Sequence, residues 1–149
     1  MEALIERFHQ NHVRYLLIGG QAMRLHGMPR FSMDWDFFIP AHDETNLRAI
    51  ETCLGADADV PLLPLGPRGE NFVQTYQTQH GLLQVHLVVP GLPAFDEVES
   101  HSVTLPSENG LGIRCLSGLD LLRCKQASNR PQDQLDIAFL QKKAELGLI

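Results

Sequence analysis

The sequence predicts a mixed α+β fold, a sheet with helices packed on it. Three observations predict it. Helical and strand-like stretches alternate through the first third of the chain, a hairpin with two alternating arms follows between residues 72 and 89, and two helical stretches close the sequence. With 149 residues and an ordinary composition, one domain covering 1–149 is expected.

The elements follow from local chemistry. Residues 2–11 put Leu4, Ile5 and Phe8 on one helical face. Val13 to Ile18 is an apolar run and reads as a buried strand, broken by Gly19-Gly20. Gln21 to Gly27 reads as a helix, stopped by Gly27 and Pro29. Phe31 to Ile39 reads as a second strand, with Ser32, Asp34 and Asp36 on one face and Met33, Trp35 and Phe37 on the other. A third helix opens at His42-Asp43-Glu44 and buries Leu47, Ile50, Cys53 and Leu54. Residues 57–67 read as loop. Phe72–Thr78 and Leu82–Val89 form the hairpin, with Gln79-His80-Gly81 as its turn. Residues 91–99 read as a connecting loop, and Val103–Leu105 and Leu111–Cys115 as short edge strands. Ser117 caps a helix whose core contacts are Leu119, Leu122 and Ala127. Pro131 starts the last helix, with Leu135, Ala138, Phe139 and Leu146 on its buried side.

Composition excludes some classes. A net charge of −6 argues against a sequence-independent nucleic-acid binder, although it leaves room for a small basic cleft. No apolar stretch approaches the length that spans a bilayer. The first residues, Met1 to Arg7, start an amphipathic helix rather than a signal peptide. Cys53, Cys115 and Cys124 have neither zinc nor redox spacing and read as reduced thiols in a cytoplasm. His9 and His12 read as cations at the end of the first helix.

Asp34 and Asp36 are the most informative pair. Two carboxylates on one strand face, about 6.6 Å apart along the backbone, repel unless a cation sits between them. Magnesium is the expected cation, with manganese as an alternative. Gly19 and Gly20 let backbone approach a phosphate chain, or they simply make a tight strand-to-helix turn. Arg30 either meets a phosphate or pairs with Asp34 or Asp36. Ser32 either bonds a phosphate or a metal-bound carboxylate, or is a polar strand residue.

Gly19-Gly20-Gln21-Ala22, Gly27, Arg30-Phe31-Ser32 and Asp34-Trp35-Asp36 together resemble the signature of the DNA polymerase β-like nucleotidyltransferase superfamily. Within it the chain most resembles the small bacterial branch of minimal nucleotidyltransferases, AbiEii-type toxins and antibiotic-modifying transferases. Ser117 to Leu122, Lys125, Arg130, Asp133 and Asp136 are similar to the C-terminal helix pair of the AbiEii-like members. The resemblance implies a nucleotidyltransferase fold and transfer of a nucleoside monophosphate from a nucleoside triphosphate to an acceptor hydroxyl. Asp34 and Asp36 would hold the metal, and Gly19, Gly20, Arg30 and Ser32 the nucleotide. Lys125 would approach the phosphates, or else is a surface lysine with a buried stem. Arg130, Asp133 and Asp136 read as an ion-pair set at the start of the last helix.

His86 is the departure. In active relatives the second arm of this hairpin carries a third carboxylate, and here Val85-His86-Leu87 puts imidazole at that place. His86 is then a general base, a ligand favouring manganese, the mark of a site that binds nucleotide without turnover, or a histidine of purely structural role. The second functional reading follows: a degenerate nucleotide-binding module of toxin–antitoxin type. Acceptors open to the enzyme reading are a small molecule, a protein side chain and a tRNA end. A homodimer or partner subunit would complete so short a chain.

Overall fold

The computed structural model describes residues 1–149. Helix α1 (Glu2–Gln10) leads to strand β1 (Leu16–Ile18), helix α2 (Gly19–Leu25) and strand β2 (Trp35–Phe38). Helix α3 (Glu44–Leu54) precedes the hairpin of β3 (Val73–Thr78) and β4 (Gly81–His86). Helix α4 (Phe95–Glu99), strands β5 (Val103–Pro106) and β6 (Gly112–Cys115), and helices α5 (Gly118–Ser128) and α6 (Gln134–Glu145) complete the chain. The six strands form one mixed sheet in the order β3-β4-β2-β1-β6-β5. Strand β2 runs antiparallel to β1 and parallel to β4, and β1 runs parallel to β6. No helix is long and apolar enough to cross a membrane.

Both sheet faces are covered. Consecutive residues of β2 point to opposite sides. Phe37 meets Phe8 and Tyr15 at ring-centroid distances of 5.7 and 5.6 Å, which docks α1 on one face. Phe38 meets Phe95 of α4 at 5.4 Å on the other. Burying each such ring contributes about 1.5–3 kcal/mol. The Asp43 side chain caps α3 by accepting from the Asn46 N–H at 3.0 Å, and Ser117 caps α5 from the Asp120 N–H at 3.1 Å. Burial pushes the Cys115 thiol up to about 12 and Cys124 to about 11, so neither is a ready nucleophile at neutral pH.

Several elements differ from the sequence reading. Strand β1 starts three residues late. The backbone of Arg14 bonds instead to the Asn46 side chain, at 2.7 and 3.0 Å, and the Val13 carbonyl accepts from Arg114. Helix α2 begins at Gly19 itself. Strand β2 begins only at Trp35, so residues 31–34 are irregular and Met33 is exposed rather than buried with Phe37. Residues 91–99 are not all loop, because Phe95 and Val98, three apart, bury one face of α4. Strand β6 is interior, between β1 and β5. Pro131 starts a short 3-10 turn, Pro131–Asp133, that runs into α6.

The largest error concerns the C-terminal pair. Leu119, Ala127, Leu135, Ala138 and Leu146 are exposed. The inward face of α6 carries Asp136 with Ile137 and Leu140, and α5 buries Lys125 with Leu121. An apolar pattern cannot report a buried face that is partly charged. His9 is not a poised helix-end cation either. Burial lowers its pKa from the usual 6.5, with Arg114 adding to the effect, and its Nε2 lies 2.7 Å from the Tyr15 hydroxyl.

Candidate functional site

The site begins where β1 ends. Ile18 is in register with Asp36, so the chain turns at Gly19 directly beside that carboxylate. Gly19 has φ +70°, a region L-residues rarely adopt, and a β-carbon there would stand 2.7 Å from Asp36 Oδ2. A β-carbon on Gly20 would stand 2.5 Å from Ser32 Oγ. The glycine pair and the Ser32–Asp36 segment are therefore one packed unit. Gln21 strengthens it by donating from Nε2 to the Ser32 carbonyl at 2.8 Å.

Strand β4 brings in His86, whose Nε2 lies 2.8 Å from Asp36 Oδ1, with about a fifth of either side chain exposed. When Nε2 carries the proton, Nδ1 keeps its lone pair. Asp34 stands outside β2, exposed and in no ion pair. The two aspartates thus differ: Asp36 is held by the glycine turn and His86, while Asp34 is free to turn toward a ligand.

A charged network closes the other side. Arg30 Nη1 donates to Asp136 Oδ2 at 2.6 Å, and Lys125 Nζ reaches the same oxygen at 3.0 Å and Asp133 Oδ1 at 3.4 Å. Arg130 adds two bonds to Asp133 at 3.0 and 3.1 Å, and the Ser128 hydroxyl donates to it at 2.9 Å. Burial alone would raise the Asp133 pKa. The bonds from Arg130 and Ser128, with the Lys125 charge, outweigh it and hold the carboxyl well below its usual 3.8. Arg130 is raised chiefly by its bond to Asp133, with a smaller contribution from the charge of Asp36.

Two expectations change here. Arg30 pairs with neither Asp34 nor Asp36 but with Asp136, because the 31–34 segment leaves the sheet and carries Arg30 to α6. Lys125 is not a surface lysine, since its side chain is 9% exposed between two carboxylates. Arg130, Asp133 and Asp136 are ion-paired, as their spacing suggests. What the sequence reading missed is that this set is bound to the Ser32 segment through Arg30. The signal was present as two aspartates three apart at a helix start, following a lysine on the preceding helix. Three cations, Arg30, Lys125 and Arg130, share two carboxylates, and of the three Arg30 reaches Gly20, where its Nη2 would stand 3.4 Å from a β-carbon.

A magnesium ion commonly binds through one or two carboxylates plus substrate phosphates and water; here Asp34, exposed and in no ion pair, and Asp36, with one oxygen against His86, are the carboxylates that would have to supply that role. No group of three or more His, Cys, Asp or Glu side chains converges, so no all-protein metal cage exists.

No family model matches the sequence, and no curated protein is detectably similar to it. Solved structures do match. The proposed nucleotidyltransferase TM1012 of Thermotoga maritima superposes with a TM-score of 0.62 at 12% identity, over 97% of this chain and 86% of that one. The chain has the nucleotidyltransferase fold. The lincosamide antibiotic adenylyltransferase LnuA, solved with lincomycin bound, gives 0.62 at 17% identity over 93% of this chain and 92% of that one. The antibiotic-resistance factor ANT(2'')-Ia gives 0.56 at 15% identity over 97% and 81%. At such identities the likeness establishes the shared nucleotidyltransferase architecture and leaves the chemistry to the residues described above.

Proposed function

We propose that the chain transfers a nucleoside monophosphate from a nucleoside triphosphate to an acceptor hydroxyl. The observation that carries this reading is the packing of Gly19 on Asp36 and of Gly20 on Ser32, which makes one site of two sequence-distant halves. Gly19 and Gly20 offer backbone without side-chain bulk to the phosphates, and Ser32 a hydroxyl beside them. Arg30, whose guanidinium lies beside Gly20, would meet a phosphate. Asp34 and Asp36 would hold magnesium or manganese, which when bound neutralises phosphate charge and polarises the phosphorus–oxygen bonds. His86, oriented by Asp36, would take the acceptor's proton at Nδ1.

The likeness to LnuA, which was solved with lincomycin, favours a small-molecule acceptor over a protein side chain or a tRNA end. We place the protein in the cytoplasm, with a homodimer or partner subunit completing the acceptor side.

One observation favours a second reading. His86 occupies Asp36 Oδ1 at 2.8 Å, an oxygen that a metal would otherwise use. A degenerate module, of toxin–antitoxin type, would bind nucleotide without transfer. Calorimetric titration with ATP, GTP, CTP and UTP, each with magnesium and with manganese, tests both. Binding by the wild type and its loss in Asp36→Asn supports a nucleotide site. Absence of binding with every triphosphate overturns both readings. Release of pyrophosphate on adding candidate acceptors then separates the enzyme from the module.

A further inference from the structure

A groove of about 980 Å³ lies beside α2, and neither Asp34, Asp36 nor His86 lines it. Its inner wall is the outward face of α2 with Gln21 and Arg24, its floor includes Trp35, its rim is Phe31, and its outer wall is the β5–β6 turn with Glu108. Trp35 and Asp36 are consecutive residues of β2 and point to opposite sides of the sheet. A ligand on Trp35 thus lies across the strand from Asp36, and the groove and the aspartate site adjoin only at Gln21 and Arg30.

Four features mark the groove as built to hold something. Phe31 is 81% exposed, the most exposed large hydrophobic side chain in the protein. The half-buried Trp35 makes no side-chain hydrogen bond, and its indole N–H is not one of the buried unpaired groups, so it is open to a ligand. Arg24 is held only by Gln21 Oε1 at 2.9 Å and by Glu108 at 3.6 Å, and the Glu108 side chain is 91% exposed. Such an exposed pair is worth at most about 1 kcal/mol, so another anion readily displaces it. Finally, the outer wall is fixed in place, because Glu2 of α1 accepts from Ser107 and Asn109 of the turn.

We propose that this groove binds a small organic anion built on an aromatic ring. The ring lies between Phe31 and Trp35, and the anionic group replaces Glu108 on Arg24 while an oxygen accepts from the indole N–H. The volume matches a ligand of drug size rather than a macromolecule. The groove also meets Arg30, which lies on the Gly20 side of the aspartate site.

Trp35 is the only tryptophan, so its indole N–H gives a single resonance in a proton–nitrogen spectrum. The probes are 2-naphthoate and the uncharged 2-naphthamide, added to the full chain without nucleotide. Saturable movement of that resonance by naphthoate, with the amide binding at least about tenfold more weakly, is expected. Arg24→Gln should reduce naphthoate to the level of the amide. Phe31→Ala should weaken both probes, and Glu108→Gln should tighten naphthoate. All three positions are exposed, and thermal melts should show unchanged folding. Asp36→Asn should leave naphthoate binding unaltered while removing nucleotide binding measured on the same sample, which keeps a failure of this proposal distinct from a failure of the nucleotide site. No saturable movement, equal binding of acid and amide, wild-type binding by Arg24→Gln, or loss of binding in Asp36→Asn would each overturn it.

Discussion

Gly20 and Ser32 stand so close that a β-carbon on the glycine would lie 2.5 Å from the serine Oγ and 2.9 Å from its Cβ. The contact joins the end of β1 to the segment carrying both aspartates. It also explains this glycine without appeal to backbone freedom, because Gly20, unlike Gly19, has no positive φ.

Gly20→Ala should therefore destabilise the protein by about 1–3 kcal/mol through overpacking. The double variant Gly20→Ala/Ser32→Gly should recover most of that loss. Urea denaturation of the single and double variants measures the coupling. Additive effects in the cycle would show that the two residues do not press on each other.

His86→Asp places a carboxylate beside Asp36, and like charges at that distance repel without a cation. The variant should be less stable than wild type in a chelator and regain stability on adding magnesium. His86→Ala should abolish transfer if the imidazole is the base, and leave nucleotide affinity nearly unchanged. A thermal melt with and without magnesium reads the first effect. A His86→Asp protein indifferent to magnesium would remove the case for a metal at Asp36.

Lys125→Met removes the cation shared by Asp133 and Asp136, whose side chains are 1% and 2% exposed. Breaking a buried ion pair from one side costs about 3–5 kcal/mol. Arg30 and Arg130 remain on the two carboxylates, so the lower end of that range is expected. A loss under about 1 kcal/mol in chemical denaturation would mean that the network is already satisfied without the lysine.

Stability should fall in two steps as pH decreases. Burial holds the His26 imidazole below the usual 6.5, with the nearby Lys143 charge acting the same way, although the Leu116 carbonyl bonded at 2.9 Å opposes it. The unfolded chain then takes up a proton more readily than the folded one, so stability drops as pH passes below about 6.5. Asp133 is depressed in the folded state, so its contribution is complete above the usual 3.8 and is lost as pH falls below it. His26→Gln, which keeps a donor for Leu116, should reduce the upper step, to which His9 and His80 contribute in the same direction, and leave the lower step in place. Denaturation midpoints from pH 8 to 3 check this.

Much of this arrangement was legible where one local rule decides the outcome. The glycine pair, the capping serine at 117 and the hairpin around Gly81 were readable because turn chemistry and strand alternation act over a few residues. Their registers agree: Val73 lies opposite His86 and Thr78 opposite Gly81. The extent of β2 was not readable. Alternation continues from Phe31 to Phe38, yet the first four residues lie outside the sheet, where Arg30 bonds Asp136, 106 positions away, and Ser32 packs on Gly20. The inward faces of α5 and α6 were misread for a related reason. Hydrophobic periodicity locates apolar burial, and here Lys125, Asp133 and Asp136 are buried by one another.

The Arg30–Asp136 bond spans 106 positions of the chain. A growing polypeptide that has already made the glycine turn and both aspartates still lacks the anchor for Arg30 until α6 has been synthesised. Closure of the corner where Arg30 meets α6 therefore waits for the C-terminal helix. A chain truncated before residue 136 should leave Arg30 without its carboxylate, and that corner should be less ordered than in the full-length protein.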